Sequence, residues 1–140
     1  MRGARRLAWG ERGQAMAETA IALPLLLAAA VALVQFTLFA HAQNVVTAAV
    51  QDGARVAAAA DRTLQDGVEH ARSVLSAGLG RSAAEVSLEA RVVSGSAGAG
   101  DVVRLEAQGR SPALIPWVAD AVLPLHARAE VSKEYFRAGR

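Results

Sequence analysis

Glu18 is the side chain whose position most needs a chemical explanation. In the stretch ERGQAMAETAIALPLLL, Glu11 to Leu27, a polar, Arg-bearing entry gives way to a long apolar run. Glu18 sits just inside the apolar side of that border. An unpaired carboxylate in low dielectric is costly, whereas an ion-paired one is tolerated. A helix N-terminus would favour an anion by about 0.3–1 kcal/mol, which explains tolerance but not selection. The other reactive groups do not assemble into a catalytic site. His41, His70 and His126 are scattered, and none sits at metal-ligand spacing with a second histidine or a carboxylate. Cysteine is absent, which excludes a thiol nucleophile, a thiolate metal site and a disulfide framework. The GSAG of the turn is neither a nucleophile elbow nor a phosphate loop. GAGDVV has two glycines where a dinucleotide fingerprint needs three, and it precedes a strand pattern. No enzyme activity, metal or cofactor is expected.

Composition narrows the classes further. The chain has 140 residues, 53% of them hydrophobic, and a net charge of +2. This suits one modest domain plus a membrane segment. Arg2, Arg5, Arg6 and Arg12 stand against Glu11 in the first dozen residues, and the rest is close to neutral. No basic stripe is interleaved with aromatics, so nucleic acid is not an expected partner.

The element that carries Glu18 is the apolar run. From Thr19 to Ala40 the only polar side chains are Thr19, Gln35 and Thr37, and eleven residues are Leu, Ile, Val or Phe. A helix needs about 20 mostly apolar residues to cross the hydrocarbon core, and insertion here gains roughly 5 kcal/mol. The lipid bilayer is therefore an expected partner. The arginine-rich N-terminal flank faces a C-terminal flank in which Asp52 opposes Arg55. The positive-inside rule then puts Met1 in the cytoplasm and the C-terminal domain outside. Trp9 fits an interfacial position. A secretory signal peptide is the rival reading, with a small-x-small site at Ala40-His41-Ala42 before Gln43. Its apolar core is normally about 7–15 residues, shorter than this one, and Glu18 lies where that core would begin.

Helical periodicity continues beyond the apolar run. Ala42, Val46, Ala49, Gly53, Val56 and Ala60 recur at spacings of three and four, opposite Gln43, Asn44, Thr47, Gln51, Asp52 and Arg55. One helix from about Ala15 to Ala60 is expected, with a bend or close packing at Gly53 and a kink or local loosening at Pro24. Asp61 or Thr63 can cap a second helix, with Asp66 in its first turn and Gly80 as its stop. Leu64, Val68, Ala71, Leu75 and Leu79 form its apolar stripe. Ser82 to Glu85 matches a capping box formally, but a strand pattern follows it. Strand alternation marks Val86–Val92, Val103–Gln108 and Leu125–Ser132. The SGSAGAG turn joins the first two. A proline-bounded connector with a short turn at Trp117–Val122 leads to the third. The tail after Tyr135 is expected to be loose. The fold class is α+β: a long N-terminal helix, a second helix and a small three-stranded antiparallel sheet. The expected segments are a basic leader at 1–13, a membrane helix at 14–40, its amphipathic continuation at 41–60, and a small extracytoplasmic domain at 61–140.

A short basic leader, a glycine at Gly13, then Glu18 as the fifth residue after it and a long apolar helix resemble a type IV prepilin. Arg12-Gly13 to Glu18, Leu23-Pro24-Leu25-Leu26 and Gly53-Ala54-Arg55, in that order, narrow the resemblance to the TadE-like family. These are minor pilins or pseudopilins of the tight-adherence (Flp) pilus system. Thr19 stands where the family often has an aromatic. The resemblance implies cleavage between Gly13 and Gln14 by a prepilin peptidase on the cytoplasmic side. It also implies contacts with other pilins and with platform proteins of the assembly machine, and a membrane or pilus location. Glycine presents no side chain at a cut and permits an extended backbone. Cleavage would leave an ammonium on Gln14, about one helical turn from Glu18. Glu18 then reads as half of an assembly ion pair whose other half appears on processing. Ala15, Ala22, Ala29 and Ala32 would allow close helix approach. The alternatives are an uncleaved single-pass scaffold, or a soluble domain released after Ala42.

Overall fold

The computed structural model describes residues 4–94, 101–111 and 124–133, with the side chains of residues 4–12 excepted. Helix α1 runs Ala4–Ala58, helix α2 Leu64–Leu79, and a 3-10 turn Gly80–Glu85. Strands β1 (Ser87–Val93), β2 (Val102–Arg110) and β3 (Pro124–Ser132) follow. The expected α+β order of long helix, second helix and three-stranded antiparallel sheet is the order found. The chain divides into two compact units, residues 1–37 and 38–140.

In the first unit α1 begins earlier than its apolar stretch. The expected start near Ala15 moves back to Ala4. The intervening residues contain no proline, and Ala, Arg, Leu and Glu are good helix formers, so Gly10 and Gly13 do not stop the helix. No residue of the most apolar window is buried within the chain. Met16, Ile21, Leu23, Leu25, Leu26, Leu27, Leu33 and Phe36 are all exposed. A soluble core helix would bury these side chains, each of which gains about 1.5–3 kcal/mol on leaving water. Their exposure fits insertion into a bilayer.

The second unit builds its core on the outer part of α1. Ala42, Val46, Ala49, Val50, Ala54, Ala57 and Ala58 are buried. This stripe is wider than the sequence suggested. Val50, Ala54, Ala57 and Ala58 join it, Val56 is only half-buried, and Ala60 lies beyond the helix end and is exposed. Contact with both α2 and the sheet broadens the buried arc. Helix α2 is capped reciprocally. The Asp66 N–H donates to Thr63 Oγ1 at 3.2 Å, and the Thr63 N–H donates to Asp66 Oδ2 at 2.7 Å. This is a capping box, and it selects Thr63 over Asp61 as the cap. Gly80 closes the helix with φ +56°, a left-handed conformation that favours glycine. Ala71 and Leu75 of the expected stripe are fully buried, and Leu64, Val68 and Leu79 are half-buried. The formal capping box from Ser82 to Glu85 lies within the 3-10 turn instead of opening a helix.

The sheet has the order β1-β2-β3, with both pairings antiparallel. Register sets two distinct faces. Leu88–Ala107–Ala127, Ala90–Leu105–Ala129 and Val92–Val103–Val131 form cross-strand rows on the inner face. Val103, Leu105, Ala107 and Leu125 are buried there. The outer face carries the rows Glu89–Glu106–Arg128 and Arg91–Arg104–Glu130. Strands β2 and β3 extend by a residue or two beyond the alternation read from sequence, whereas β1 starts and ends one residue later than expected. Most of the SGSAGAG turn, the Trp117–Val122 segment and the tail lie outside the described residues.

Candidate functional site

The residues singled out at the helix border share one short stretch of α1. Gly13, Gln14, Ala15 and Glu18 are all exposed. A Cβ built on Gly13 would meet nothing within 4 Å, so packing does not require glycine there. Gly13 is helical in the intact chain, not extended. A protease needing an extended backbone would have to unwind this turn. Glycine lowers that cost by about 1 kcal/mol relative to alanine. Among the described residues Glu18 makes no hydrogen bond or ion pair.

Helical geometry places these groups together. Gln14 and Glu18 are four residues apart, about 6 Å along the axis and on one face. At 100° per residue, Gln14, Ala15, Glu18, Ala22, Ala29 and Ala32 fall within about a 100° arc. A helix docking on the alanine stripe would meet Glu18. Pro24 lies on the opposite side, and α1 continues through it without interruption. Its missing N–H leaves the Ala20 carbonyl without its usual i+4 donor. Thr19 and Thr37 satisfy their own hydroxyls by donating to the Ala15 and Leu33 carbonyls, each at 2.9 Å. These bonds let two polar side chains remain in an apolar segment.

Gly53 belongs to different surroundings. A Cβ there would lie 2.7 Å from the Gly67 carbonyl oxygen and 2.8 Å from Ala71 Cβ. It therefore sets the spacing of α1 and α2 within the chain. Ala54 beside it is buried, while Arg55 points outward and pairs with Asp52 at 3.2 Å. Gln43 Nε2 donates to the His126 carbonyl at 2.7 Å and ties α1 to β3. Thus Ala42 is a core residue and Gln43 a tether, in the middle of an unbroken helix.

One polar constellation emerges only from the strand register. On the outer face Arg91 reaches Glu106 at 3.0 Å, Arg104 reaches Glu130 at 2.7 Å, and Arg128 bonds Glu130. The Arg128 and Arg104 guanidinium hydrogen bonds hold the Glu130 carboxyl below its ordinary value of 4.5. Bonds from the Thr63 backbone and hydroxyl likewise lower Asp66. Strand alternation could signal a charged face, but not which charges meet. An open groove of about 580 Å³ lies between Arg55, Arg62, Asp66, Glu69 and His70. Among the described residues no group of three His, Asp or Glu could hold a metal ion.

Together these features define a small α+β domain carried on a long helix whose apolar half fits a membrane. Comparison with family models then matches residues 13–55 to the TadE-like protein family. The match opens on Gly13, closes on Arg55 and contains the Glu18, Leu-Pro-Leu-Leu and Gly-Ala-Arg positions; it covers no part of the sheet. It agrees with the family resemblance that those residues carry in the sequence. Comparison with curated proteins and with solved structures finds no match.

Proposed function

We propose that this chain is a minor pilin or pseudopilin of a tight-adherence pilus or a related export machine. It is inserted with Met1 in the cytoplasm and the α+β domain outside, and a prepilin peptidase cuts it between Gly13 and Gln14. The basic leader is then lost. The mature helix packs through its alanine face against helices of other pilins, and the outer domain initiates, caps or decorates the assembly. Residues 14–40 act as the anchor, and residues 61–140 form most of the exterior domain.

The observation that carries this reading is the register of Gly13 and Glu18 at the head of an unburied apolar helix, inside the TadE-like match. A plain anchor requires neither the glycine nor the carboxylate. Release by signal peptidase after Ala42 fits poorly, because that cut would remove buried Ala42 from the core and split α1. Intact-mass and N-terminal analysis of the membrane-extracted protein tests the proposal. A mature start at Gln14 is expected. A start at Met1 would identify an uncleaved scaffold, and a start at Gln43 a released domain.

A further inference from the structure

The outer domain has two unlike ends, and contacts along α1 mark them. At the far end Val103 and Val131 pack with Ala57 and Ala58. At the near end a Cβ on Gly78 would lie 2.5 Å from Val45 Cγ1, and Gln43 Nε2 donates to the His126 carbonyl. The 3-10 turn Gly80–Glu85, the last residue of β2, Arg110, and the first of β3, Pro124, therefore lie near the level of Ala40–Gln43 on α1. That is where the apolar run stops and the chain enters the outer unit. Unpaired arginines collect towards this near end. Arg55, Arg91, Arg104 and Arg128 have carboxylate partners, and Arg62 lies close enough to Asp66 to lower its pKa. Arg72, Arg81 and Arg110 are exposed, and among the described residues their side chains have no ion pair or hydrogen bond. Arg81 and Arg110 stand at the near end itself, and Arg72 about two turns of α2 farther out. Glu85 is exposed at the same end, and the two arginines outnumber it. At the far end the balance reverses: Asp61, Asp66 and Asp101 outnumber Arg62 and Lys133. Arg81 also rims a groove of about 460 Å³ lined in part by Ala83, Val86 and Leu88. An arginine beside an apolar floor suits a phosphate carried on an apolar molecule.

We propose that the near end of the outer domain binds the headgroup phosphates of anionic phospholipids, with Arg81 and Arg110 as the contacts. The polar layer of a bilayer is about 5–7 Å deep on each side. Arginine extends its charged head into such a layer while its stem stays on apolar surface. A guanidinium meets a phosphate with two parallel hydrogen bonds. An anionic leaflet attracts each arginine held near it and repels the acidic far end. The far end of a second copy is the other acidic surface on offer. It lies at the opposite end of the domain, so copies held in one membrane at one level do not present it to Arg81 and Arg110. Lipid contact holds the domain against the bilayer before assembly, and it is given up when α1 leaves the bilayer. The inference rests on the proposed insertion of α1 with this domain outside, and not on cleavage at Gly13.

The absence of cysteine allows a single probe site to be introduced at will. Full-length chain carrying Ala84→Cys at the near end, or Ala60→Cys at the far end, is labelled with a fluorophore. It is then reconstituted into vesicles that contain a headgroup-quencher lipid, in phosphatidylcholine alone or mixed with phosphatidylglycerol. A chain that does not float with the vesicles would overturn the insertion and this inference together. For inserted chain, quenching at position 84 should be several-fold stronger with phosphatidylglycerol. It should fall to the phosphatidylcholine level in the double variant Arg81→Gln, Arg110→Gln and at high salt. The double variant Arg81→Lys, Arg110→Lys should retain most of it, because lysine also binds phosphate. The probe at position 60 should be little quenched in either lipid. Three results would overturn the proposal: equal quenching in the two lipids, no effect of the glutamine pair, or quenching that follows the protein-to-lipid ratio instead of lipid charge. The last would assign the arginines to a second copy.

Discussion

Gly53 and Gly67 face each other where α1 crosses α2. A Cβ on Gly53 would lie 2.7 Å from the Gly67 carbonyl oxygen, and a Cβ on Gly67 would lie 2.5 Å from that of Gly53. Backbone meets backbone, so neither position can relieve a methyl by rotating a side chain. Alanine gains about 1 kcal/mol over glycine in a helix interior, but forced expansion of a packed contact costs about 1–3 kcal/mol. Gly53→Ala and Gly67→Ala should each destabilise the outer domain by about 1 kcal/mol net. Chemical unfolding of the full chain in detergent, followed by limited proteolysis, would measure this. Gly13→Ala, where a Cβ meets nothing, should leave domain stability unchanged.

The second helix depends on one threonine. Thr63 Oγ1 accepts the Asp66 N–H, and Asp66 returns the bond to the Thr63 N–H. Thr63→Ala removes one half of this pair and should cost about 1 kcal/mol. Asp61→Ala, one of the two caps that the sequence allows, should cost little. Comparing the two variants in the same unfolding assay checks which residue starts α2.

The outer domain should lose stability in acid. Hydrogen bonds lower the folded-state pKa of Asp66 below 3.8 and of Glu130 below 4.5. A lowered carboxylate contributes stability that is complete above its unfolded value and is lost as pH falls through its folded value. The unfolding midpoint should therefore be flat in these two groups from neutral pH to about 5, then fall as pH drops further. Glu130→Gln should flatten part of that decline. Glu130 is exposed and Asp66 only half-buried, so salt should weaken the effect.

Those three expectations differ in how far the sequence alone could reach. Thr63, Asp66 and Gly80 act through neighbours in the chain, so the limits of α2 were readable apart from the choice between Asp61 and Thr63. Period-two alternation likewise located all three strands to within a residue or two. Gly67 was not readable, because its role depends on α1 arriving opposite it. The ion network of Arg91, Glu106, Arg104, Arg128 and Glu130 depends on strand register, which alternation does not set. The buried arc of α1 exceeded a single stripe because two elements pack against it. At the candidate site, Gly13 and Glu18 were legible by their spacing. That Gly13 is helical was not, since its sequence permits either state.

Glu18 provides the sharpest test of the proposed assembly. It shares a helix face with Gln14 and with the alanine stripe, about one turn from the ammonium that cleavage would create. Within the chain it makes no hydrogen bond or ion pair among the described residues, so replacing it should not harm the fold. Glu18→Ala should insert, be cut after Gly13 and retain a normal outer domain, yet fail to assemble. Glu18→Gln keeps the shape and removes the charge. If a charge pair is what matters, it should fail nearly as completely as Glu18→Ala. Glu18→Asp keeps the charge on a shorter arm and should retain partial assembly. Piliation and pull-down of other pilins, scored beside N-terminal analysis of each variant, separate a defect in assembly from a defect in cleavage. Normal piliation by Glu18→Gln would reduce the carboxylate to a helix-terminal preference of about 0.3–1 kcal/mol.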